Sequence, residues 1–523
     1  MRNEKEIGRR TLLGAAAALS TAALTAIASP ALAAASGTGS LKVGAGRSAI
    51  AIPDSLLPLD GFTTVHDDLY VRVLLLQNGI TKVALVIVDL TSISAEAIAG
   101  LRQVVSQTAG VASSNIMVTV THTFSAPHVF ASTQSTQMAT WVRNIVAACQ
   151  TAVTAATGGL RAAKVGYGYG TCDVNVNRNV ETADGWWLGT GEALPSSKTV
   201  AVARFDDLDG TPIAVLANYN VQSCVMMESV MASGDLPVSA DLAGAAVAHV
   251  ESQYGGDTVG FFLVGACGDQ FPAFRSKRYV IDKDRRWAQV DAQDNGWLLL
   301  TVQGERLGTE IVRVAQTIRA DQGAGTALKF VQTSATVQTI AQGHPTGPVT
   351  SYDFTPTGTA EAPLWIFRLG SAVFVGASPE LSTNTALDIR EGSGFKYAFV
   401  ASMFEGGAKN MANRWNYAHI TYAAVDSGYA PGSAEKLTPG PTSTRGTGPT
   451  RVATSSSSCP STTPPPCSGC SYPAAVADLA RAARSWATRP PATRWCPPRP
   501  ASPRSRPSTP PAASGTPRAP RPC

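Results

Sequence analysis

Short apolar runs of strand type recur along the chain and alternate with stretches of helical spacing, and this alternation constrains the fold most. Residues 71–76 and 83–89 are predicted strands, the second buried on both faces, and residues 116–120 form another. Residues 94–108 and 139–155 have helical spacing, and the second stretch ends before a pair of glycines. The pattern therefore predicts an α/β fold of layered mixed sheets rather than an all-β or all-α domain.

The first 33 residues have the composition of an export signal. A charged start precedes an apolar stretch from Leu12 to about Ile27, and Ala31-Leu32-Ala33 fits a small-x-small cleavage site. Arg9-Arg10 followed by Thr-Leu-Leu resembles a twin-arginine signal, and an ordinary secretory signal is the alternative. The stretch is shorter than the roughly 20 apolar residues that span a bilayer. We expect residues 1–33 to be removed and the protein to be secreted or held in the cell envelope, without a transmembrane span.

The composition changes sharply after Lys436. Residues 437–523 contain 11 arginines, no lysine and one acidic residue, Asp478, so their formal charge is +10 and the rest of the chain carries −5. A segment of Pro, Ser, Thr and Arg buries too little apolar surface to offset the entropy of ordering, so we predict a disordered tail. Cys467-x-x-Cys470 has no second ligand pair beside it that would indicate a metal site. We favour a change of reading frame near Leu437 over a basic tail that binds nucleic acid, and expect no nucleic-acid partner.

Polar side chains follow several of the apolar strands, and α/β sheets place ligand sites at such positions. His122 directly follows a buried strand. Other strands are followed by Asp89, Asp269 and Glu380, and Asp241 precedes a helix-like stretch. One histidine among repeated carboxylates suits a metal cation. Taken singly, each aspartate is more often a helix cap, and a histidine is as often a satisfied core residue.

Nine short motifs along the chain carry a family resemblance: residues 43–46, 58–62, 68–73, 121–127, 174–179, 239–244, 265–272, 378–380 and 428–432. They occur in the order typical of the neutral ceramidase family. One of them, Thr-His-Thr-Phe-Ser-Ala-Pro, is similar to the family's Thr-His-Thr-His-Ser-x-Pro. Over residues 41–436 the chain therefore resembles the catalytic domain of neutral ceramidases.

The resemblance implies a metal site. Neutral ceramidases hold a zinc ion with two histidines, a glutamate and a tyrosine, and they cleave the amide bond of ceramide. The resemblance puts His122 at the first histidine ligand and Glu380 at the glutamate. Gln222 replaces the second histidine, and Asn410 replaces the tyrosine.

Two phenylalanines replace polar residues of the family's site. Phe124 stands at the second histidine of the His-x-His motif, and Phe271 stands at a serine. Phe271 can act neither as a nucleophile nor as a proton donor. Both rings would make the site drier and suit a lipid-like substrate, so they are the predicted substrate-binding residues. Trp186 and Trp187 are predicted in a loop, where packing explains them better than an apolar entrance to the site.

The replaced ligands leave three arrangements open, because zinc accepts carboxamide oxygens poorly beside imidazole and carboxylate. The chain could work without a metal. A rewired zinc site could instead take a ligand from Cys224, Tyr417 or His419. An oxygen-rich calcium or magnesium site could form from Asp89, Asp241, Asp269 and Glu380.

Two functions are consistent with these residues. The first is an exported, zinc-dependent hydrolase that cleaves an amide bond in a lipid-like or other small substrate through metal-activated water. Its candidate catalytic residues are His122, Asp241 and Asp269. The two aspartates would either hold the metal ligands in position or have a structural role. The second is a non-catalytic protein of the same fold that binds a lipid or a glycan. The retained His122 and Glu380 favour the hydrolase, and the replaced ligands favour the alternative; the sequence predicts no oligomeric state.

Overall fold

The structure is a computed structural model that describes residues 40–323, 326–407 and 409–438. The predicted export signal, residues 1–33, lies outside the described residues, and so does the predicted tail beyond Thr438. No helix in the described ranges combines the length and the apolarity that a membrane span requires.

The described residues form seven α-helices and 21 strands. The helices are α1 (Ala95–Ala109), α2 (Thr136–Gly158), α3 (Asp241–Tyr254), α4 (Gly296–Thr317), α5 (Thr383–Gly392), α6 (Arg414–His419) and α7 (Tyr422–Val425). The strands are β1 (Leu41–Ala49), β2 (Thr64–Val65), β3 (Tyr70–Asn78), β4 (Thr81–Val88), β5 (Ile116–Val120), β6 (Arg161–Thr171), β7 (Asn175–Thr182), β8 (Gly185–Gly191), β9 (Thr199–Asp207), β10 (Pro212–Tyr219), β11 (Pro237–Val238), β12 (Val259–Val264), β13 (Gln270–Pro272), β14 (Lys277–Ile281), β15 (Trp287–Asp291), β16 (Leu328–Ile340), β17 (Pro356–Leu369), β18 (Ala372–Ala377), β19 (Glu380–Leu381), β20 (Tyr397–Ala401) and β21 (Asn410–Met411).

The largest sheet has eight strands in the order β12-β10-β9-β6-β1-β3-β4-β5. Its outermost pairs are parallel, β12 with β10 and β4 with β5, and the pairs between them are antiparallel. The sheet curves enough to bring β12 close to β4 and β5 at the opposite edge. Because of this curvature, the carboxyl ends of β5, β10 and β12 reach one region of the molecule.

A second sheet packs on the large one and completes a layered α/β/β/α arrangement. Helices α1 to α4 cover one face of the large sheet, and its other face packs on the four-stranded sheet β16-β17-β18-β20. Helix α5 covers the far side of the smaller sheet. Aromatic rings fill the space between the sheets; Phe374 stacks on Phe367 at 4.2 Å and on Phe399 at 4.3 Å between ring centroids. The predicted α/β fold with layered mixed sheets is confirmed.

Glycines in β6 let helix α4 pack directly on the strand backbone. A Cβ added to Gly166 would stand 2.5 Å from the carbonyl oxygen of Arg319, and one added to Gly168 would stand 2.9 Å from Val314. Contacts that short are incompatible with a side chain, so glycine fixes the close approach of helix and sheet.

Two local predictions need correction. Helix α2 begins at Thr136 rather than at residue 139, because the hydroxyl of Ser135 accepts a hydrogen bond from the backbone N–H of Met138 and caps the helix. Trp186 and Trp187 lie in strand β8 rather than in a loop, and Trp187 is only 2% exposed. Its ring packs against Tyr279, Trp287 and Tyr422.

Candidate active site

Four chain segments meet beyond the carboxyl ends of β5, β10, β12 and β18. They carry His122, Gln222, Cys267 and Glu380, in that order. Backbone hydrogen bonds join the first two segments, because Ser223 N–H donates to the carbonyl of His122 at 3.1 Å. A cavity of ≈ 700 Å³ has His122, Gln222 and Glu380 in its lining. Strand ends that converge on a cavity are where α/β folds place their ligand sites.

His122 has a different partner at each ring nitrogen. Its Nδ1 lies 2.7 Å from the carbonyl oxygen of Thr91, and a carbonyl only accepts, so Nδ1 carries the hydrogen. The other nitrogen, Nε2, lies 3.2 Å from Oε1 of Glu380. The residue has a φ of 57°, a left-handed conformation that costs free energy outside glycine and often marks functional sites. Histidines that ligate metals commonly have one nitrogen fixed by a carbonyl in this way.

Glu380 is a buried carboxylate that stays ionised. Burial alone would raise its pKa, but the charge and hydrogen bond of His122, with the charge of Arg178 and a hydrogen bond from Gln222, lower the pKa to about 2. The residue begins the short strand β19, which pairs in parallel with β21 and sets Glu380 beside Asn410. An anion is therefore fixed at the base of the cavity at neutral pH.

Gln222 and Asn410, the two residues at the replaced ligand positions, carry buried polar atoms without partners. The Gln222 amide N–H donates to Oε1 of Glu380, which leaves its own Oε1 without a hydrogen bond among the described residues. Neither Oδ1 nor Nδ2 of Asn410 has a partner there. Both residues are 1% exposed. Buried polar atoms in native proteins are nearly always paired, so these orphans mark a place for a further group.

Cys267 joins the site, although the sequence gave no signal that singled it out from the other cysteines. Its Sγ and the ligand atoms of His122 and Glu380 all lie within 4.8 Å of one another. The thiol is fully buried, and burial, followed by the charge and hydrogen bond of Glu380, raises its pKa well above the usual value. Cys224, which the sequence suggested as a ligand, lies instead in an apolar cluster with Val176 and Phe271.

Arg178 is a second residue that the sequence analysis did not place in the site. Its guanidinium is buried, donates from Nε to the carbonyl of Gly268 at 2.9 Å, and lies over the rings of Phe271 and Tyr422 at 5.4 and 5.2 Å. Burial opposes its charge, yet Glu380 and the other anionic groups around it keep the pKa of Arg178 above the usual value. The cavity therefore has a fixed cation as well as a fixed anion in its lining.

Apolar and aromatic side chains form one patch of a cavity lining that also carries many polar and charged residues. Both predicted substrate-binding residues, Phe124 and Phe271, line it, and the Phe124 ring meets His122 edge-on at 4.6 Å between centroids. Trp187, Leu188 and Met227 add to the same surface. A cavity that combines an apolar patch with polar and charged groups suits a small molecule that is partly apolar and partly polar.

Asp241, a candidate catalytic residue, lies outside the cavity lining and ties three segments together. Its Oδ1 accepts from the backbone N–H of Val225 and Leu242, at 2.7 and 2.6 Å. Its Oδ2 accepts from Met226 N–H at 2.8 Å and from the Ser125 hydroxyl at 2.9 Å. The carboxylate therefore fixes the loops that carry His122 and Gln222 to the start of α3, and a catalytic role for Asp241 stays a prediction that its contacts do not support.

Asp269 has a comparable place on the other side of the site. Its Oδ1 accepts from the backbone N–H and the hydroxyl of Thr383, both at 2.9 Å, and from the Gln270 side chain. These bonds join the segment that carries Cys267 to the first residue of α5, just after Glu380. Asp269 is buried outside the cavity lining, so its catalytic role also stays a prediction.

The other ligands considered from the sequence do not reach the site. Tyr417 donates its hydroxyl to Ser427 and Tyr429, and His419 stacks on Trp415. Asp89 pairs with Arg72 at 2.7 Å. The oxygen-rich cluster of Asp89, Asp241, Asp269 and Glu380 does not form, and in the described part of the chain His122, Cys267 and Glu380 are the single group of at least three such residues that could hold a metal ion.

The residues present fit a zinc ion. Imidazole nitrogen, thiolate sulfur and carboxylate oxygen are the donors that zinc takes from proteins. Gln222 donates to Glu380 and Asn410 pairs with it across strands, so the orphaned oxygens of both residues lie near the same carboxylate.

Comparison with known proteins gives structural but not sequence matches. No protein-family model matches the chain, and no curated protein matches it. The structure is similar to that of a ceramidase complexed with C2, with a TM-score of 0.58 and 16% identity over 76% of this chain and 73% of that one. It is equally similar to neutral ceramidase from Pseudomonas aeruginosa, with a TM-score of 0.58 and 16% identity over 76% of this chain and 72% of that one. The resemblance inferred from nine short motifs is therefore confirmed at the level of structure: this chain has the ceramidase fold.

Proposed function

We propose that this chain is a hydrolase that cleaves an amide bond in a lipid-like substrate with the help of a bound zinc ion. The observation that carries the proposal is the facing pair of His122 and Glu380, in the lining of a cavity that also has an apolar patch. Catalytic groups with strongly shifted pKa values in such a cavity are typical of active sites. The ceramidase fold adds support, since the similar structures are those of ceramidases.

His122 and Glu380 would hold the ion. His122 would offer Nε2 once that nitrogen gives up the hydrogen it shares with Glu380, while Nδ1 keeps its hydrogen bond to Thr91. Glu380 offers a carboxylate that is ionised well below neutral pH. Zinc bound there would lower the pKa of a bound water and polarise the substrate carbonyl.

Two cavity residues suit an amide whose carbonyl oxygen gains negative charge. The Arg178 guanidinium supplies a buried positive charge that needs no reorganisation during the reaction. Burial, followed by the charge of Asp426, raises the pKa of Tyr422 to about 12, so its hydroxyl stays a hydrogen-bond donor at neutral pH. Phe271 supplies no nucleophile, and the attacking group in this proposal is water.

The substrate's apolar part would lie along Phe124, Phe271 and the neighbouring wall residues. A ring surface of this kind removes water from an acyl chain, and each buried methylene contributes about 0.8 kcal/mol to binding. Exclusion of water by the same rings would also strengthen the electrostatic effect of Arg178 on the reacting amide.

Zinc content and acid release test the proposal together. Purified protein is expected to bind zinc stoichiometrically and to release the labelled acid from an N-acylsphingosine that carries a fluorescent acyl chain. His122→Ala and Glu380→Gln should abolish release. His249→Ala is the matched control, because His249 lies on α3, outside the cavity lining, and contacts Thr309. Protein that stays metal-free and releases nothing after zinc is added would contradict the proposal and leave the non-catalytic lipid- or glycan-binding alternative.

We also propose that the protein is exported after removal of residues 1–33. The basic start, the apolar stretch and the Ala31-Leu32-Ala33 site support this. Expression of the full gene in a bacterial host, followed by amino-terminal sequencing of the exported protein, should find a start near Ala34. Full-length protein confined to the cytoplasm would contradict it.

A further inference from the structure

Cys267 lies close enough to His122 and Glu380 to be a third ligand of the zinc ion proposed above. It follows the carboxyl end of β12, and the next residue, Gly268, donates its N–H to the carbonyl of Leu381 at 2.9 Å. That bond holds the β12 segment against the segment of Glu380. Gly268 is needed there, because an added Cβ would be 2.3 Å from Oδ1 of Asn410. The thiol is thus held beside the Glu380 carboxylate by the backbone on either side.

The distances suit one shared ion. Tetrahedral zinc ligands with bonds of about 2.0–2.3 Å stand roughly 3.5 Å apart. Nε2 of His122 and Oε1 of Glu380 are 3.2 Å apart, and Sγ of Cys267 lies within 4.8 Å of both. The three atoms are therefore close enough together to share one ion.

A second, independent observation indicates that a group belongs at this point. Oε1 of Gln222 and both polar atoms of the Asn410 side chain are buried and have no partner among the described residues. Both side chains are 99% buried, since each is 1% exposed. Polar atoms in that state normally face an unassigned water or ion.

We propose that Cys267 coordinates the zinc ion as a thiolate and takes over from the ligands that the chain lacks at Gln222 and Asn410. The inference rests on the proposed function, because it concerns the same ion. Binding of the ion would replace the S–H bond of Cys267 by a sulfur–zinc bond and the Nε2–H bond of His122 by a nitrogen–zinc bond, and both protons would pass to solvent. Thiolate and carboxylate together then neutralise the double charge of the ion, with His122 neutral.

The thiolate determines which metal the site takes. Thiolate and imidazole favour zinc, whereas calcium and magnesium prefer sites made of oxygen ligands. The site is therefore selective for zinc over magnesium and calcium, although it has fewer histidines than the resemblance implies. A glutamine at position 222 is compatible with this set, because its role is to donate to Glu380.

X-ray absorption of the zinc-loaded protein tests the proposal without a variant that could fail to fold. The reference is the full chain with serine at the five tail cysteines, Cys459, Cys467, Cys470, Cys496 and Cys523, so that they cannot bind zinc. We expect one zinc per chain with one sulfur neighbour at about 2.3 Å. Zinc that binds with nitrogen and oxygen neighbours alone overturns the role of Cys267 and leaves the proposed function standing.

Cobalt substitution assigns the sulfur to one cysteine. In the same background, bound Co²⁺ should give a thiolate-to-cobalt charge-transfer band that is lost in Cys267→Ser and kept in Cys224→Ser. Cys224 is the matched control, since it is also fully buried but lies in the apolar cluster with Val176. A band that survives in Cys267→Ser overturns the proposal. Absence of both zinc and cobalt binding would refute the metal dependence of the proposed function as well.

Discussion

Replacement of Asp241 by asparagine distinguishes a structural from a catalytic role for this residue. The carboxylate accepts four hydrogen bonds, two on each oxygen. If the new amide nitrogen took the place of Oδ1, two buried backbone N–H groups, those of Val225 and Leu242, would lose their acceptor. If it takes the place of Oδ2, the Ser125 hydroxyl can rotate to accept from it, and only Met226 N–H is left unpaired. The second orientation is therefore favoured.

The magnitude follows from that single unpaired group. A buried N–H without an acceptor costs about 1–3 kcal/mol, so the free energy of unfolding of Asp241→Asn should fall by about that amount. Asp241→Ala removes both acceptor oxygens, leaves all four donors unpaired and should cost at least about twice as much. Urea denaturation measures both, with the slope m unchanged if the transition stays two-state. Asp257→Asn is the control, because Asp257 is exposed, and should change stability by less than about 0.5 kcal/mol.

Activity separates the two roles. Where Asp241→Asn is still folded, we expect its kcat/KM to stay within a few-fold of the wild type, because the carboxylate lies outside the cavity lining. Unchanged stability combined with lost activity would refute the structural role and support the catalytic one.

Three further perturbations probe the site and the fold. The pKa of Glu380 falls from 4.5 to about 2 on folding, so its ionised form stabilises metal-free protein by about 3 kcal/mol above pH 4.5. This stabilisation is lost as the pH falls towards 2. The free energy of unfolding should therefore depend less steeply on acid pH in Glu380→Gln, and equal slopes in the two proteins would contradict the shift. Gly166→Ala should lower the free energy of unfolding, measured by urea denaturation, by about 1–3 kcal/mol, because the new Cβ meets a backbone oxygen at 2.5 Å. Gly158→Ala is the control and should not destabilise the protein, because no atom lies within 4 Å of its Cβ. Gln222→His should tighten zinc binding by on the order of tenfold or more in competition with a chelator, since an imidazole replaces a carboxamide; weaker binding would mean that position 222 does not face the ion.

Much of the fold could be predicted because its signals are local. The apolar runs at β4 and β5 and the spacing of α1 place these elements within a few residues, since burial on one or two faces imposes a period on the sequence itself. The order of the motifs likewise led to the ceramidase fold, and His122 and Glu380 could be selected as partners from it. The prediction failed locally at Trp187, because edge strand β8 has a glycine at each end and another inside it, a composition that is typical of a loop.

Which residues form the site was harder to predict from the sequence. His122 and Glu380 are 258 residues apart in sequence and meet only because the two sheets pack face to face. Cys224 and Cys267 follow β10 and β12, which are neighbouring parallel strands, so strand position alone could not rank one above the other. The backbone bond from Gly268 to Leu381 decides in favour of Cys267.

The sequence by itself determined the alternation of strands and helices, the candidate strand-end residues and the resemblance to neutral ceramidases. Only the tertiary structure decided which of those residues share a cavity, which carboxylates are taken up by backbone hydrogen bonds, and that Arg178 and Cys267 belong beside Glu380. The physical reason is that periodicity reports which face of an element is buried, whereas the direction of a side chain beyond a strand end depends on sheet curvature and on loop contacts from distant parts of the chain.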